Sequence, residues 1–147
     1  MSQNVAERTG WRRNWPYVAV AVLTFVTVMG TIHGGADQPD RRDTDAIAIA
    51  IALICPLSLI LLRRAALAVL AVVLALTIVY LARDYAWGPI TISVGIALVG
   101  NVIRGNRIVA WIGGRVMYAA LLVTIHVLRG EDWSWPAAFG VAAWVLL

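Results

Sequence analysis

The side chain best placed for chemistry in this sequence is Arg115, an ionisable group deep inside a long apolar stretch. Charged residues in such stretches are rare and are candidates for function. Arg115 lies about two helical turns from Arg107, so its long side chain can alternatively extend to the polar end of the helix or make a structural hydrogen bond. We favour this structural role, and the alternative makes Arg115 a candidate coupling or ligand-contacting residue.

Two histidines form the second candidate. His33 and His126 each fall near the end of a predicted apolar helix, and Asp37 and Asp40 follow His33 closely. Imidazole and carboxylate groups on one rim would form a site that responds to pH or binds a metal ion. The favoured interpretation is that the two histidines lie at separate helix ends and never meet, and the shared site is the alternative.

Tryptophans near the ends of the apolar stretches are the third feature. They fall into two groups, Trp11, Trp15 and Trp111 on one side and Trp87, Trp133 and Trp135 on the other. Such aromatic belts anchor helices at the boundary between membrane and water. The alternative is a ligand-contacting surface built from the second group, of which Trp87 is the candidate site residue.

The sequence contains no motif for catalysis or for a resident cofactor. Gly113 and Gly114 lie within an apolar helix without the pattern of a phosphate-binding loop, and neither HExxH nor CxxC occurs. The single cysteine, Cys55, excludes an intrachain disulfide. The net charge of +4 comes from arginines scattered singly and in pairs at helix ends, which is not the pattern of a nucleic-acid-binding surface. We therefore predict no cofactor in this segment and no nucleic-acid partner.

The composition indicates a membrane protein. Of the 147 residues, 61% are hydrophobic, and the mean hydropathy is +0.82. A soluble domain of this length cannot bury so much apolar surface, whereas lipid accommodates it. We predict an all-α fold, a polytopic bundle of transmembrane helices with the lipid bilayer as its partner.

A pair of arginines, Arg63 and Arg64, sets the orientation of the predicted helices. It separates two apolar runs, residues 46–62 and 65–82, each about 25 to 27 Å long as a helix and close to the thickness of a bilayer core. The pair must form a tight turn, and basic residues in short loops favour the cytoplasmic side. The turn that contains Arg104 and Arg107 is predicted on the same side.

Six membrane helices follow from this orientation, with both chain ends in the cytoplasm. They cover residues 16–32, 46–62, 65–82, 89–103, 108–128 and 136–147, after a cytoplasmic juxtamembrane segment 1–15. The segments predicted inside hold seven arginines and one acidic residue, whereas those predicted outside hold four arginines and seven acidic residues. The sixth helix has about half the length of a span, so we expect the chain to be a fragment. The alternative for the first helix is a cleaved signal peptide.

Local signals set several helix boundaries. Pro16 suits the first turn of the first helix, and segment 43–45 suits the N-terminus of the second. Pro56 is expected to bend the second helix near its cytoplasmic end. Tyr85 and Trp87 are predicted as interfacial aromatic residues in the turn before the fourth helix.

Several segments carry a resemblance to a known family: 61–64 followed by 66–71, the turn 85–89, the turn 104–107 with 110–112, and 142–147. Their order resembles the N-terminal membrane region of actinobacterial sensor histidine kinases, the type paired with NarL-like response regulators. The resemblance covers most of the chain from the second helix onward. It implies that the last helix continues into a cytoplasmic kinase beyond residue 147, where the phospho-accepting histidine and the domain that binds ATP and magnesium would lie.

Together these observations predict the signal-input domain of a sensor histidine kinase in the plasma membrane. It would act as a homodimer and signal to a response regulator through the kinase domain. The candidate signal or coupling residues are His33, Asp37, Trp87, Arg115 and His126. The residues that determine the topology are Arg63, Arg64, Arg104 and Arg107. The alternatives are a small transporter or carrier and a membrane assembly subunit without catalytic activity.

Overall fold

The computed structural model describes residues 3–38, 41–86 and 88–125, and the side chains of residues 15–34, 38, 41–86 and 88–125. Its helices are α1 (Gln3–Asp37), α2 (Ala46–Ser58), α3 (Ala66–Ala82), α4 (Ile90–Ile103) and α5 (Arg107–Val123), with a 3₁₀ turn, Leu59–Arg63, after α2. In these ranges no β-strand forms, only an isolated bridge between Arg42 and Tyr85. The all-α prediction is confirmed. The sixth predicted helix, residues 136–147, lies outside the described residues.

Two helical segments are long and apolar enough to cross a membrane. They are Trp15–Gly34 within α1 and Ala46–Arg63, which comprises α2 and the 3₁₀ turn. α3 and α4 are apolar but shorter, with 17 and 14 residues. As helices they measure about 25 and 21 Å, against about 30 Å for a hydrocarbon core. Six spans therefore stay a prediction.

α1 is longer than predicted, because it begins at Gln3 and contains Pro16 in its interior. An internal proline removes one helical hydrogen bond and crowds the carbonyl four residues earlier, at a typical cost of about 3 kcal/mol. The apolar span, Trp15–Gly34, agrees with the predicted membrane helix 16–32 to within two residues. The expectation that Pro16 lies in the first turn was wrong, because it followed the beginning of the apolar run. Polar residues such as glutamate, glutamine and arginine have high helix propensity, so a change from polar to apolar composition is not a helix boundary.

α2 has the predicted N-cap and a changed geometry after its proline. Asp45 Oδ1 accepts hydrogen bonds from the backbone N–H groups of Ile47 (3.0 Å) and Ala48 (2.9 Å). Near the other end, Pro56 has no N–H to donate, and α-helical bonding stops two residues later at Ser58, where the 3₁₀ turn follows. The proline therefore precedes a local tightening of the helix.

α3 is the central helix of the described bundle. It packs against α2, α4 and α5, while α1 packs against α2. The α1–α2 and α3–α4 connections meet at one end, where the Arg42 N–H donates to the Asp84 carbonyl at 3.1 Å. The α2–α3 and α4–α5 turns meet at the opposite end, where Arg104 Nη1 donates to the Arg63 carbonyl at 2.6 Å.

Two apolar clusters fill the interior between these ends. The cluster near the α1–α2 connection consists of Ala48, Ile51, Cys55, Tyr80, Tyr85 and Ile90. The other consists of Leu59, Val69, Leu70, Val73, Val94 and Ala97. The buried hydroxyls of Thr27, Thr31 and Thr77 each donate to the carbonyl four residues earlier at 2.8 Å. Polar side chains satisfied in this way are tolerated in helices away from water.

Glycines permit neighbouring segments of the chain to pack closely at two points. A Cβ at position 30 of α1 would lie 2.6 Å from both Cδ and Cγ of Pro89, at the start of α4. A Cβ at position 100 of α4 would lie 2.5 Å from Leu62 Cδ2, whereas one at Gly95 of the same helix would have nothing within 4 Å. Gly30 and Gly100 are therefore packing residues, and Gly95 is not.

Candidate functional site

The predicted candidate residues fall at separate places in the chain. His33 is exposed on α1, with Nδ1 2.9 Å from the Met29 carbonyl oxygen, a hydrogen bond when that nitrogen carries the proton. Asp37 ends α1, but its side chain lies outside the described set. Trp87 and His126 lie outside the described residues altogether, so their proposed roles stay predictions.

Arg115 is exposed on α5, beside the buried Gly113 and Gly114. Among the described residues, none makes a hydrogen bond or ion pair with its guanidinium. An exposed arginine on a helix surface fits the structural alternative, in which the side chain extends to the polar end of the helix. Its role in coupling stays a prediction.

A metal-binding group does not occur in the part of the chain that the structure describes. No three or more histidine, cysteine, aspartate or glutamate side chains gather there. Since His126 lies outside that part, the predicted meeting of the two histidines stays a prediction.

The clearest polar site joins the α1–α2 and α3–α4 connections. We call it the Tyr85 cluster, and its members are Arg41, Arg42, Asp45, Asp84 and Tyr85. Arg41 Nη1 pairs with Asp84 Oδ1 at 3.1 Å, and Arg42 Nη2 pairs with Asp45 Oδ2 at 3.2 Å. The Tyr85 hydroxyl donates to Asp45 Oδ1 at 2.6 Å. Contacts between oppositely charged and hydrogen-bonding groups thus join two loops that are distant in the sequence.

Tyr85 is buried in this cluster, with 1% of its surface exposed. Its ring centroid lies 5.0 Å from that of Tyr80, and the Arg42 guanidinium carbon lies 5.6 Å from the Tyr85 centroid. The Tyr80 hydroxyl donates to the Ala86 carbonyl at 2.9 Å. The ring can be buried because its hydroxyl has a carboxylate partner. Tyr85 therefore packs against its own chain, and its position at the membrane interface stays a prediction.

Asp84 holds the backbone conformation that brings the two loops together. Its φ of +60° lies in the left-handed region, which aspartate tolerates better than most residues. It follows Arg83, the C-cap of α3, at a position where glycine is common. Here the carboxylate of Asp84 pairs with Arg41 and its carbonyl accepts from the Arg42 N–H. The turn therefore contributes both its side chain and its backbone to the site.

The contacts fix the ionisation states of the two central groups. The hydrogen bond from Tyr85 holds the pKa of Asp45 below its ordinary value; the backbone N–H groups of Ala48 and Ile47 and the charge of Arg42 act in the same direction, against the effect of burial. Burial raises the pKa of Tyr85, and its hydrogen bond to Asp45 raises it further. Asp45 is therefore a carboxylate and Tyr85 a neutral phenol across the physiological range. The cluster is an electrostatic connection, not a proton-transfer site.

The opposite end carries positive charge. We call residues 59–66 and 101–107, which comprise the α2–α3 and α4–α5 connections with the adjoining helix ends, the arginine turns. Their exposed arginines are Arg63, Arg64, Arg104 and Arg107. Residues 46–83 and 85–130 contain no aspartate or glutamate. A buried amide joins the two turns, because Asn101 Nδ2 donates to the carbonyls of Ala66 and Ala97, each at 2.9 Å.

Sequence reasoning identified no member of the Tyr85 cluster as a candidate site residue. It used the arginines, Asp45 and Asp84 to assign loops to a side of the membrane, and Asp45 also as a helix cap. The available signal was the opposite charges within the two loops, 40–45 and 83–85. Two short loops that each contain both signs of charge can pair with one another, but only helix packing decides whether they meet.

The chain matches no known protein family, no curated protein and no solved structure. Its resemblance to sensor kinases therefore stays a prediction, and the site is interpreted from its own geometry.

Proposed function

We propose that the chain is the membrane-embedded signal-input domain of a sensor histidine kinase, a six-span bundle in the plasma membrane with both ends in the cytoplasm. In this proposal, a kinase domain that binds ATP and magnesium follows residue 147. The protein acts as a homodimer and phosphorylates a response regulator. The observation that carries the proposal is the Tyr85 cluster, where charged contacts join two loops at one end of a helix bundle.

The apolar surface of the helices supports a multi-pass location. Phe25 of α1 is 65% exposed, and Val22, Val99 and Val116 are also exposed on their helices. In water, exposed apolar side chains in such number favour association, whereas in a bilayer they contact lipid favourably.

The positions of the connections support the proposed orientation. The arginine turns lie together at one end, and the α1–α2 and α3–α4 connections lie together at the other. Because basic residues in short loops favour the cytoplasm, we assign the arginine turns to the cytoplasmic side and the Tyr85 cluster to the outer side. A polar cluster on the outer side is accessible to a signal from the cell envelope.

A signal changes the bundle only if it binds one packing better than another. In our proposal the two packings are those with the Tyr85 cluster formed and with its loops apart. Asp45 caps the start of α2, and Asp84 follows the end of α3, so separation of the loops displaces two helices that lead to the arginine turns. The connections, residues 38–45 and 83–89, are too short to fold as a separate domain. The signal is therefore a small molecule, a peptide, or a change in the bilayer.

The test is autophosphorylation of the native gene product. The chromosomal gene is tagged at its start, and membranes from those cells are incubated with magnesium and radiolabelled ATP. We expect a tagged product much larger than 15.9 kDa that carries acid-labile phosphate, as phosphohistidine does. Tyr85→Phe should change the labelled fraction, whereas Asp43→Asn, an exposed position in the same loop, should not.

A tagged product near 15.9 kDa without phosphate would overturn the proposal. Transport assays with Arg115→Ala and a search for assembly partners would then be the next measurements. A labelled product that responds equally to Tyr85→Phe and Asp43→Asn would retain the kinase but reject the Tyr85 cluster as its input site.

A further inference from the structure

The arginine turns form a charged surface that the proposed signalling mechanism does not use. All four of their arginines are exposed, and residues 46–83 and 85–130 supply no acidic side chain that could neutralise them. Like charges on two adjoining turns repel one another, and an anion that lies among them relieves the repulsion. The surface therefore has the electrostatic character of an anion-binding site.

Internal hydrogen bonds hold the surface in one geometry. Arg104 Nη1 donates to the Arg63 carbonyl at 2.6 Å, and the buried Asn101 links α4 to the first residue of α3. The two arginine-bearing turns are thus fixed side by side. A preformed site of this kind binds its ligand without first ordering flexible loops.

Two helices also begin at this surface without a capping side chain. α3 follows Ala65, and α5 follows Asn106, whose side chain donates to Asn101 instead of capping the helix. Free N–H groups and the positive end of the helix dipole attract anions, above all phosphate. They add to the attraction of the arginines.

Apolar side chains border the arginines. Ile103 is 79% exposed and Ile108 is 76% exposed, the two highest values among the large apolar residues that the structure describes. They flank the turn that carries Arg104 and Arg107, and Leu61 and Leu67 are half exposed beside the other turn. A free phosphate ion would leave these side chains uncovered, whereas a lipid has acyl chains to cover them.

We propose that the arginine turns bind the phosphate headgroup of an anionic phospholipid, with its acyl chains against Ile103 and Ile108. Basic pockets between membrane helices recognise such headgroups by charge. The site requires only that the chain lies in a bilayer. It does not require a kinase domain, so it can fail or succeed independently of the proposed function.

The test is lipid retention by the purified chain in neutral detergent, measured by native mass spectrometry. The probes are phosphatidylglycerol and phosphatidylcholine with identical acyl chains, and inorganic phosphate. We expect bound phosphatidylglycerol at more than tenfold higher affinity than phosphatidylcholine. Arg107→Gln should weaken phosphatidylglycerol binding about fivefold, the contribution typical of one basic residue near an anionic surface. Arg64→Gln, on the other turn, should weaken phosphatidylglycerol binding to a similar extent. It replaces Arg107→Gln as the test if that variant does not fold.

The matched control is Arg83→Gln, which removes an exposed arginine at the opposite end of the bundle. It should leave phosphatidylglycerol binding unchanged. Equal weakening by Arg107→Gln and Arg83→Gln would overturn the proposal, because total charge and not the arginine turns would then attract the lipid. Equal retention of both lipids would also overturn it, as would displacement of phosphatidylglycerol by millimolar inorganic phosphate, which would indicate a site for the free ion.

Discussion

The two ends of the helix bundle join their connections by different chemistry. At one end, the Tyr85 cluster uses opposite charges: Arg41 pairs with Asp84, and Asp45 accepts from Tyr85. At the other end, the neutral side chain of Asn101 makes the buried connection, and the arginines stay exposed. Charges that pair within the protein stabilise its structure. Charges that have no acidic partner among the described residues can bind a ligand.

The turns themselves show the same difference. Asp84 and Gly105 both follow the C-cap of a helix and both have a positive φ, +60° and +85°. Glycine adopts this conformation without strain, and it contributes no side chain at the arginine end. Aspartate accepts some strain, and its carboxylate forms the ion pair with Arg41. The same backbone conformation therefore forms only a turn at Gly105, whereas at Asp84 it also forms part of the Tyr85 cluster.

The largest effect is expected where α1 touches the end that holds the Tyr85 cluster. Gly30→Ala places a methyl group 2.6 Å from the rigid ring of Pro89, so the free energy of unfolding should fall by about 2–3 kcal/mol. Gly95→Ala is the matched control, because its added methyl group meets nothing within 4 Å. It should be neutral or stabilising by up to about 1 kcal/mol. Chemical unfolding in detergent measures both, and equal effects would contradict the packing of α1 on Pro89.

At the arginine end, Asn101→Ala should lower the free energy of unfolding by about 2 kcal/mol. The change removes two buried hydrogen bonds and leaves a small cavity. Asn106→Ala, which removes a longer contact of 3.4 Å to Asn101 from a half-buried position, should cost less than about 0.5 kcal/mol. If the two variants unfold alike, the buried amide is not what joins the arginine turns.

Tyr85→Phe should have a smaller effect on stability at neutral pH, because water can replace the lost hydrogen bond at the partly exposed Asp45. Its main effect should appear in the pH dependence. The lowered pKa of Asp45 contributes stability that is present above about pH 3.9 and is lost as the pH falls through the folded-state value. The raised pKa of Tyr85 contributes stability that is present below about pH 10 and is lost as the pH rises through its folded-state value.

Removal of the hydroxyl should therefore abolish the alkaline loss of stability and reduce the acidic loss. Thermal unfolding between pH 3 and pH 11 compares the variant with the native chain. An unchanged alkaline limb in Tyr85→Phe would show that another group titrates there.

The smallest effect is expected for Asp84→Gly, which makes this turn resemble that at Gly105. Relief of the left-handed strain offsets the loss of a partly exposed ion pair, so the free energy of unfolding should change by less than about 1 kcal/mol. Gly105→Ala, the reverse test at the arginine end, should destabilise by about 1–2 kcal/mol. A large loss for Asp84→Gly would give the ion pair greater weight than its exposure suggests.

The parts of the fold that depend on local sequence were predictable. The bounds of α3 and α4 agree with the predictions to within a residue, and the cap at Asp45 follows from residue type and position alone. The start of α1 was not predicted, because helix propensity continues through polar residues where hydropathy changes.

The Tyr85 cluster was not predictable in the same way. Asp45 and Tyr85 are 40 residues apart, and their contact depends on how α2 packs against α3. Short-range patterns place Tyr85 at a membrane interface, since aromatic residues near helix ends usually lie there. Only the tertiary arrangement shows that the Tyr85 hydroxyl donates to the Asp45 carboxylate and that the Tyr85 ring is buried.

The most direct test of this account is the side of the membrane on which each end lies. Asp43→Cys and Arg64→Cys each introduce an exposed thiol, at the α1–α2 connection and in an arginine turn. Cys55, the native cysteine, is fully buried. Labelling of the native chain therefore measures the background signal from Cys55. A membrane-impermeant maleimide should label position 43 in intact cells and position 64 only after the membrane is permeabilised. Labelling of position 64 in intact cells, or of both positions from one side, would contradict the proposed orientation and the input role assigned to the Tyr85 cluster.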